Sequence, residues 1–327
     1  MPQFRAQRRP VDGVLLLDKP TGLSSNAALQ RAKRLYQAEK AGHTGTLDPL
    51  ASGLLPLCFG EATKFAQVLL DARKRYAATV RFGVTTSTGD AEGEVGEVRP
   101  VAFARAELET VLRAFVGPIA QVPPAHSALK YQGRAYYEYA RAGQEIPRVA
   151  RNVEVFALRL LEWHAPDAVL DVECSKGTYI RVLAEDIGRA MGCGAHLAAL
   201  RRTATGGFSI AAAVPLAHLE AMDDAGRRAS MLPVSTLVAD LAVLAVDAAD
   251  ALRFLQGRAL DVPGHPDGTF AVFGDGRFLR VAAVTGGNAQ PRRVVAQRPV
   301  AQSRAAWNES TFRLIIQDFA KAQSERR

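Results

Sequence analysis

The segment from Gly42 to Lys64, GHTGTLDPLASGLLPLCFGEATK, sets His43 five residues ahead of Asp48 and follows both with a leucine-rich run. A carboxylate held at a backbone bend against an apolar wall is suited to nucleophilic chemistry. No second carboxylate accompanies Asp48 between Gly42 and Pro56, so the paired acids of a glycosidase have no local support. A structural reading stands beside the chemical one. Asp48 followed by Pro49 and an apolar run has the form of a helix start, with Asp48 as N-cap and Pro49 in the first turn. The two readings are compatible. His43 either reaches a ligand from the Gly42 turn or is a turn histidine bonded to backbone. Gly42, Gly45 and Gly53 permit close approach to a phosphate, but their spacing fits neither a P-loop nor a dinucleotide fingerprint.

A second candidate is Cys174-Ser-Lys-Gly-Thr-Tyr-Ile-Arg181. A strand that turns through a polar glycine loop into a helix presents free N–H groups at the helix start. Arg181 falls in that helix's first turn, where the macrodipole disfavours a cation. Such a placement asks for a carboxylate partner, and an ion pair favours the ionised acid. The alternative is an arginine solvated at the surface. Tyr179 beside it suits a pocket wall or the core equally.

Elements that position these residues are legible. Val14 to Leu17 is a short buried strand ending at Asp18-Lys19-Pro20. Ser24 or Ser25 caps a helix through about Tyr36, with Ala28, Leu29, Ala32 and Leu35 on one face. Arg75 to Gly83 alternates as a strand and leads to a polar turn through Asp90. Ala104 to Val116 reads as a helix that stops at Gly117-Pro118. Val169 to Cys174 is a strand, and a helix follows from about Tyr179 to Met191, ended by Gly192. Between them, 121–151 is basic and tyrosine-rich, with a short helix expected around Ala135 to Arg141 inside a long functional loop. Beyond about 240, a helix near 248–255 precedes strands 269–273 and 277–284, joined through Gly274-Asp275-Gly276. Phe312, Ile315, Ile316 and Phe319 stand at helical spacing.

Composition bounds the partners. The chain has 327 residues and a formal charge of +8, a moderate excess that favours a polyanion. Cys58, Cys174 and Cys193 are scattered without metal spacing, which fits a reduced cytoplasmic setting. No run reaches the roughly 18 apolar residues of a membrane span.

Seven segments in order resemble the TruB family, the bacterial tRNA pseudouridine-55 synthases. They are Gly13 to Gly22 (GVLLLDKPTG), Gly42 to Lys64, Lys74-Arg-Tyr76, Gly89-Asp90-Ala-Glu-Gly93, Gln121-Val-Pro-Pro124 with Ser127-Ala-Leu-Lys130, Cys174 to Arg181, and Ala195 to Arg202 (AHLAALRR). The resemblance implies an α+β protein with a pseudouridine-synthase fold: a central, mainly antiparallel mixed sheet flanked by helices, and a small C-terminal β-barrel-like domain of PUA type. It implies a catalytic domain over 1–240 with an RNA-clamping insertion at about 124–152, a PUA-like RNA-binding domain over 241–300, and a tail over 301–327, expected to be helical. The implied activity is isomerisation of uridine 55 in the T loop of tRNA by base flipping, with no cofactor, no metal, no membrane and no obligatory protein partner. Asp48 would be the nucleophile, Tyr179 a pocket wall active in proton transfer at C5, and Arg181 the partner of Asp48. Tyr76 would stack on the base, Leu200 wall the pocket, and His43 hold the flipped uridine. Lys64, Lys130 and Arg202 would meet RNA phosphates, and Lys19 and Pro20 would buttress the site. Ala125-His126 departs from the family, which commonly has a tyrosine there. A different class of reading is a T-arm RNA chaperone for which catalysis is secondary.

Overall fold

The computed structural model describes residues 8–294; the expected tail helix lies outside them. The chain divides into two compact units, Met1–Asp240 and Leu241–Arg327.

The first unit is built on a ten-stranded sheet. Its strands are β1 (Gly13–Lys19), β2 (Ala41–His43), β3 (Ala51–Phe59), β4 (Lys74–Phe82), β5 (Gly117–Gln121), β6 (Arg151–His164), β7 (Asp167–Cys174), β8 (Ala195–Thr205), β9 (Phe208–Ser209) and β10 (Val214–Pro215). The order across the sheet is β10-β1-β3-β8-β4-β7-β6-β5, with β2 beside β3 and β9 beside β8. Only β1–β10 and β3–β8 run parallel, so the sheet is mixed and mainly antiparallel. Strand β1 is apolar and buried from Gly13 to Leu17, where it lies inside the sheet with both faces covered, and ends in Asp18 and Lys19.

Among the helices that pack on the sheet are α1 (Ser25–Leu35), α2 (Arg105–Arg113) and α3 (Ile180–Ala190). Ser24 caps α1 by accepting from the Ala27 N–H at 3.1 Å. Ala28, Leu29 and Ala32 of α1, Leu108 and Leu112 of α2, and Leu183 and Ile187 of α3 share one core with strands β1, β3 and β4. Gly192 follows α3 with φ +77°, the left-handed turn that ends a helix.

One expectation fails at the centre of the fold. Asp48-Pro49 starts no helix. The Asp48 carbonyl accepts from the Ala51 N–H at 3.1 Å, a tight turn into strand β3. Leu54, Leu55 and Leu57 are fully buried, because β3 runs between β1 and β8 and both faces meet the core. Gly53 makes this possible. Its φ is +101°, and a side chain there would collide with the Arg202 backbone across the parallel pair. Gly53 therefore serves strand packing and not a phosphate cradle.

The segment 124–152 contains a small hairpin, Lys130–Tyr131 against Arg134–Ala135, and a helix over Tyr136–Arg141. The Arg134 guanidinium lies 4.6 Å above the Tyr139 ring and that of Arg141 lies 5.4 Å from the Tyr137 ring.

The second unit holds a five-stranded sheet ordered Ala242–Val246, Gly268–Gly274, Arg277–Thr285, Asn288–Val294, Leu260–Asp261. A helix over Ala248–Leu255 starts at Asp247, whose carboxylate accepts from the Asp250 N–H at 2.8 Å. Phe254, Phe270, Val272 and Leu279 form its core. This is a small PUA-like β domain.

Candidate active site

Asp48 sits in the turn between β2 and β3, its side chain 46% exposed. The turn is anchored along its length. Ser25, at the start of α1, is buried; its hydroxyl donates to the Leu47 carbonyl at 3.0 Å and accepts from the Leu47 N–H at 2.7 Å. Thr44, also buried, donates its N–H to the Pro56 carbonyl at 3.2 Å. The Pro49 carbonyl accepts from the Gly22 N–H at 2.7 Å. A loop fixed at so many backbone atoms holds its one acidic side chain in a set direction.

Arg181 meets that carboxylate. Its Nη2 lies 3.0 Å from Asp48 Oδ2 and its Nη1 lies 3.3 Å from Asp90 Oδ2. The same guanidinium donates to the Thr88 carbonyl at 3.3 Å and the His126 carbonyl at 2.7 Å. Only 8% of the Arg181 side chain is exposed. The contact made by His126 is through its backbone, so the departure at that position leaves this bond intact. Arg181 stands in the first turn of α3, where the helix dipole opposes a cation; two carboxylates and two carbonyls offset the cost.

Asp90 is the partner of Arg181 to which sequence reasoning assigned no role. Its side chain is 4% exposed. Its Oδ1 accepts from the Thr88 hydroxyl at 2.6 Å and from the Glu92 N–H at 3.1 Å. Asp90 holds Arg181 from below while Asp48 faces outward. The signal was present: the Arg181 position demands an acid, and a Gly-Asp in a polar turn supplies one. Glu92, exposed at the rim, is pushed above the usual carboxyl range by partial burial and by the charges of Asp90 and Asp48.

Tyr179 directly precedes α3. Gln121, buried at the end of β5, clamps its backbone: Gln121 Nε2 donates to the Tyr179 carbonyl at 3.2 Å, and the Tyr179 N–H donates to Gln121 Oε1 at 3.0 Å. Burial raises the Tyr179 phenol, against the opposing pull of the Ser127 side chain. Tyr76 on β4 is 9% exposed. Burial raises its phenol too, against the positive charge of nearby Arg202. Asp48 is close enough to act electrostatically on both phenols. Leu200 on β8 pairs in register with Ala51 of β3 and Ala78 of β4, between the Asp48 turn and the Tyr76 strand. His43 ends β2, with its Nδ1 buried and without a hydrogen-bond partner. The backbone-bonded alternative for this nitrogen is therefore absent. Burial, then Arg202, holds the imidazole below its ordinary value.

Lys19 is fully buried, its ammonium donating to the Pro20 carbonyl at 2.9 Å and the Leu23 carbonyl at 2.6 Å. Burial lowers it to about 8, against the pull of Asp48. Lys19 therefore stiffens the chain entering α1, and Pro20 supplies one of the carbonyls. The phosphate-contact residues divide. Lys130 is exposed on the 130–135 hairpin. Lys64 is partly exposed and pairs with Glu61 at 2.7 Å. Arg202 contradicts its expected role: it is 1% exposed and cannot reach a phosphate. The strand period of two turns Arg201 outward to Asp18, at 2.7 Å, and Arg202 inward.

Among the described residues, no group of three or more His, Cys, Asp or Glu is arranged to hold a metal ion. Nor is any helix among them long and apolar enough to cross a membrane.

Known proteins share this sequence and fold. The family model "TruB family pseudouridylate synthase (N terminal domain)" matches residues 33–180, and "tRNA pseudouridylate synthase B C-terminal domain" matches 181–239. The chain is 55% identical over 294 residues to tRNA pseudouridine synthase B of Thiobacillus denitrificans, covering 90% of this chain and 99% of the relative. It is 54% identical over 302 residues to the protein of that name from Burkholderia mallei, covering 90% and 97%. Two solved structures share the fold. One is a Cbf5–Nop10–Gar1 complex, with TM-score 0.66 and 26% identity over 86% of this chain and 84% of that one. The other is an H/ACA RNP bound to a substrate RNA containing 2′-deoxyuridine, with TM-score 0.66 and 25% identity over 88% and 86%.

Proposed function

The chain belongs to the TruB family of pseudouridylate synthases, and on that premise we propose that it converts uridine 55 in the T loop of tRNA to pseudouridine with Asp48 as nucleophile. It is a tRNA pseudouridine synthase, an isomerase. The observation that carries the residue assignment is the outward-facing Asp48 carboxylate held by a buried Arg181.

The uridine must leave its stack to enter the site, at a cost of a few kcal/mol. The N1–C1′ bond then breaks and its electron pair stays with the uracil. Asp48 meets the resulting demand at C1′, by attack there or by an elimination. The base turns, and the C5–C1′ bond forms as Asp48 leaves C1′ or, after elimination, returns the proton to C2′; C5 gives up its proton and N1 takes one. No atom is gained or lost. Arg181 keeps Asp48 oriented, and Asp90 holds Arg181. Tyr76 stacks on the base, Leu200 walls it, and His43 contributes to its grip. Tyr179, a neutral phenol fixed by Gln121, serves proton transfer at C5.

The insertion at 124–152 clamps the RNA, and the PUA-like unit from 241 to 300 adds a second RNA contact. The exposed Lys130 and the tyrosine-stacked Arg134 and Arg141 support the first role. The net charge steers the polyanion in. A tRNA substrate and three free cysteines support a cytoplasmic setting. Mapping pseudouridine in tRNA from cells lacking this protein tests the reading. Loss at position 55, restored by the wild-type gene, is expected; full modification without the gene contradicts it.

A further inference from the structure

Arg202 is the largest fully buried side chain among the described residues, at 1% exposure. No carboxylate lies within ion-pair distance of it among those residues, although burying an unpaired charge is costly. What surrounds it is a set of acceptors on separate elements. Its Nε donates to the Leu54 carbonyl of β3 at 2.7 Å. Its Nη2 donates to the Gly45 carbonyl at 3.3 Å, three residues before Asp48. In the β8–β4 register it stands directly opposite Tyr76. The guanidinium fork is planar and rigid, so these acceptors are held in one fixed frame.

We propose that Arg202 is a positioning residue for the isomerisation, locking the Tyr76 ring and the Asp48-bearing turn in register with each other. The inference rests on the roles given above to Tyr76 and Asp48. A base stacked on Tyr76 must present C1′ and then C5 to a reaction centre set by Asp48, through a rotation. That requires the stacking ring and the carboxylate to keep one separation while the base moves. Arg202 pairs in register with Tyr76 and bonds the Asp48 turn. It touches no phosphate, since it is closed off from solvent, and it works through Tyr76 and Gly45 on the substrate's far side. Gly45 has room for this contact: its φ is +115°, and the Arg202 Nη1 comes within 3.5 Å of where a side chain would begin.

The test is single-turnover tritium release from T-arm RNA carrying [5-³H]uridine, beside RNA affinity by filter binding, for wild type, Arg202→Met, Arg202→Lys, Tyr76→Phe and the double variants. Wild-type turnover reports on the proposed function; the ratios of variant to wild type report on Arg202. Arg202→Met is expected to slow release about 100-fold, the scale of a misplaced reacting group, with RNA affinity within about threefold. Arg202→Lys is expected to recover about tenfold of that, keeping the charge without the fork. In the Tyr76→Phe background the further cost of either substitution is expected to shrink, because the register partner of Arg202 is already altered. Should Arg202→Met fail to fold, Arg202→Lys with and without Tyr76→Phe carries the same cycle. Additive effects at the two positions overturn the proposal. So does weakened RNA affinity with an unchanged rate at saturating RNA.

Discussion

Replacing Arg181 by methionine separates the two acids it serves. Its guanidinium lies 3.0 Å from Asp48 and 3.3 Å from Asp90, whose side chains are 46% and 4% exposed. At 3.0 Å two unit charges attract by about 5 kcal/mol at an effective dielectric of about 20 and by about 1 kcal/mol in water. Asp48, half in solvent, falls between these, at about 3 kcal/mol. Loss of that restraint lowers the single-turnover rate about 100-fold. Asp90 behaves differently because water does not reach it. Stranding a buried charge costs about 3–5 kcal/mol, which in a domain of this size lowers Tm by roughly 10 °C. The Thr88 hydroxyl and Glu92 N–H remain on Asp90 and soften the loss. The double variant Arg181→Met with Asp90→Asn then distinguishes the effects. Calorimetry is expected to recover most of the lost Tm, while tritium release stays slow. A wild-type rate in Arg181→Met, or a rate restored by Asp90→Asn, refutes the pairing as the source of Asp48's function.

Other outcomes follow from neighbouring geometry. Ser25→Ala leaves the Leu47 N–H and carbonyl without their buried partner, so urea denaturation is expected to show about 2 kcal/mol of lost stability and tritium release a slower rate; an unchanged midpoint contradicts the clamp. Gly53→Ala places a side chain into the Arg202 backbone at φ +101° and is expected to cost at least about 2 kcal/mol; a neutral effect denies the close approach of β3 and β8. His43 titrates below its ordinary value in the folded chain. The unfolded chain therefore binds the extra proton first, and stability is full above about pH 6.5 and declines as pH falls toward the folded value. Tm measured against pH is expected to show this acid limb in wild type and a flatter one in His43→Gln; identical limbs contradict it.

How much was legible depends on the range of the interaction. Local signals did well: Ser24 caps α1, Gly192 closes α3, and the short helix of the insertion spans Tyr136–Arg141. The demand of Arg181 for an acid was readable because a cation in a helix's first turn is locally unfavourable. Asp48-Pro49 misled for the same local reason. Pro56 stands within the following run, and proline argues against a central strand; yet β3 holds it opposite Leu16, because burial on both faces outweighs one missing donor. Arg202 misled because its phosphate contact came only with the resemblance, whereas strand alternation sends Arg201 outward and Arg202 inward. Which one turns inward depends on β8 pairing with β3 and β4, a long-range fact absent from local sequence. Asp90 shared that difficulty: its partner is about ninety residues away.

The most direct test is tritium release from T-arm RNA bearing [5-³H]uridine, comparing wild type with Asp48→Asn at enzyme in excess over RNA. Asparagine keeps the size of the side chain and removes its charge. Stoichiometric release by wild type and none above background by Asp48→Asn, with RNA binding retained, is the predicted result. Full release by Asp48→Asn contradicts the account, since the outward carboxylate held by Arg181 would then have no part in the chemistry.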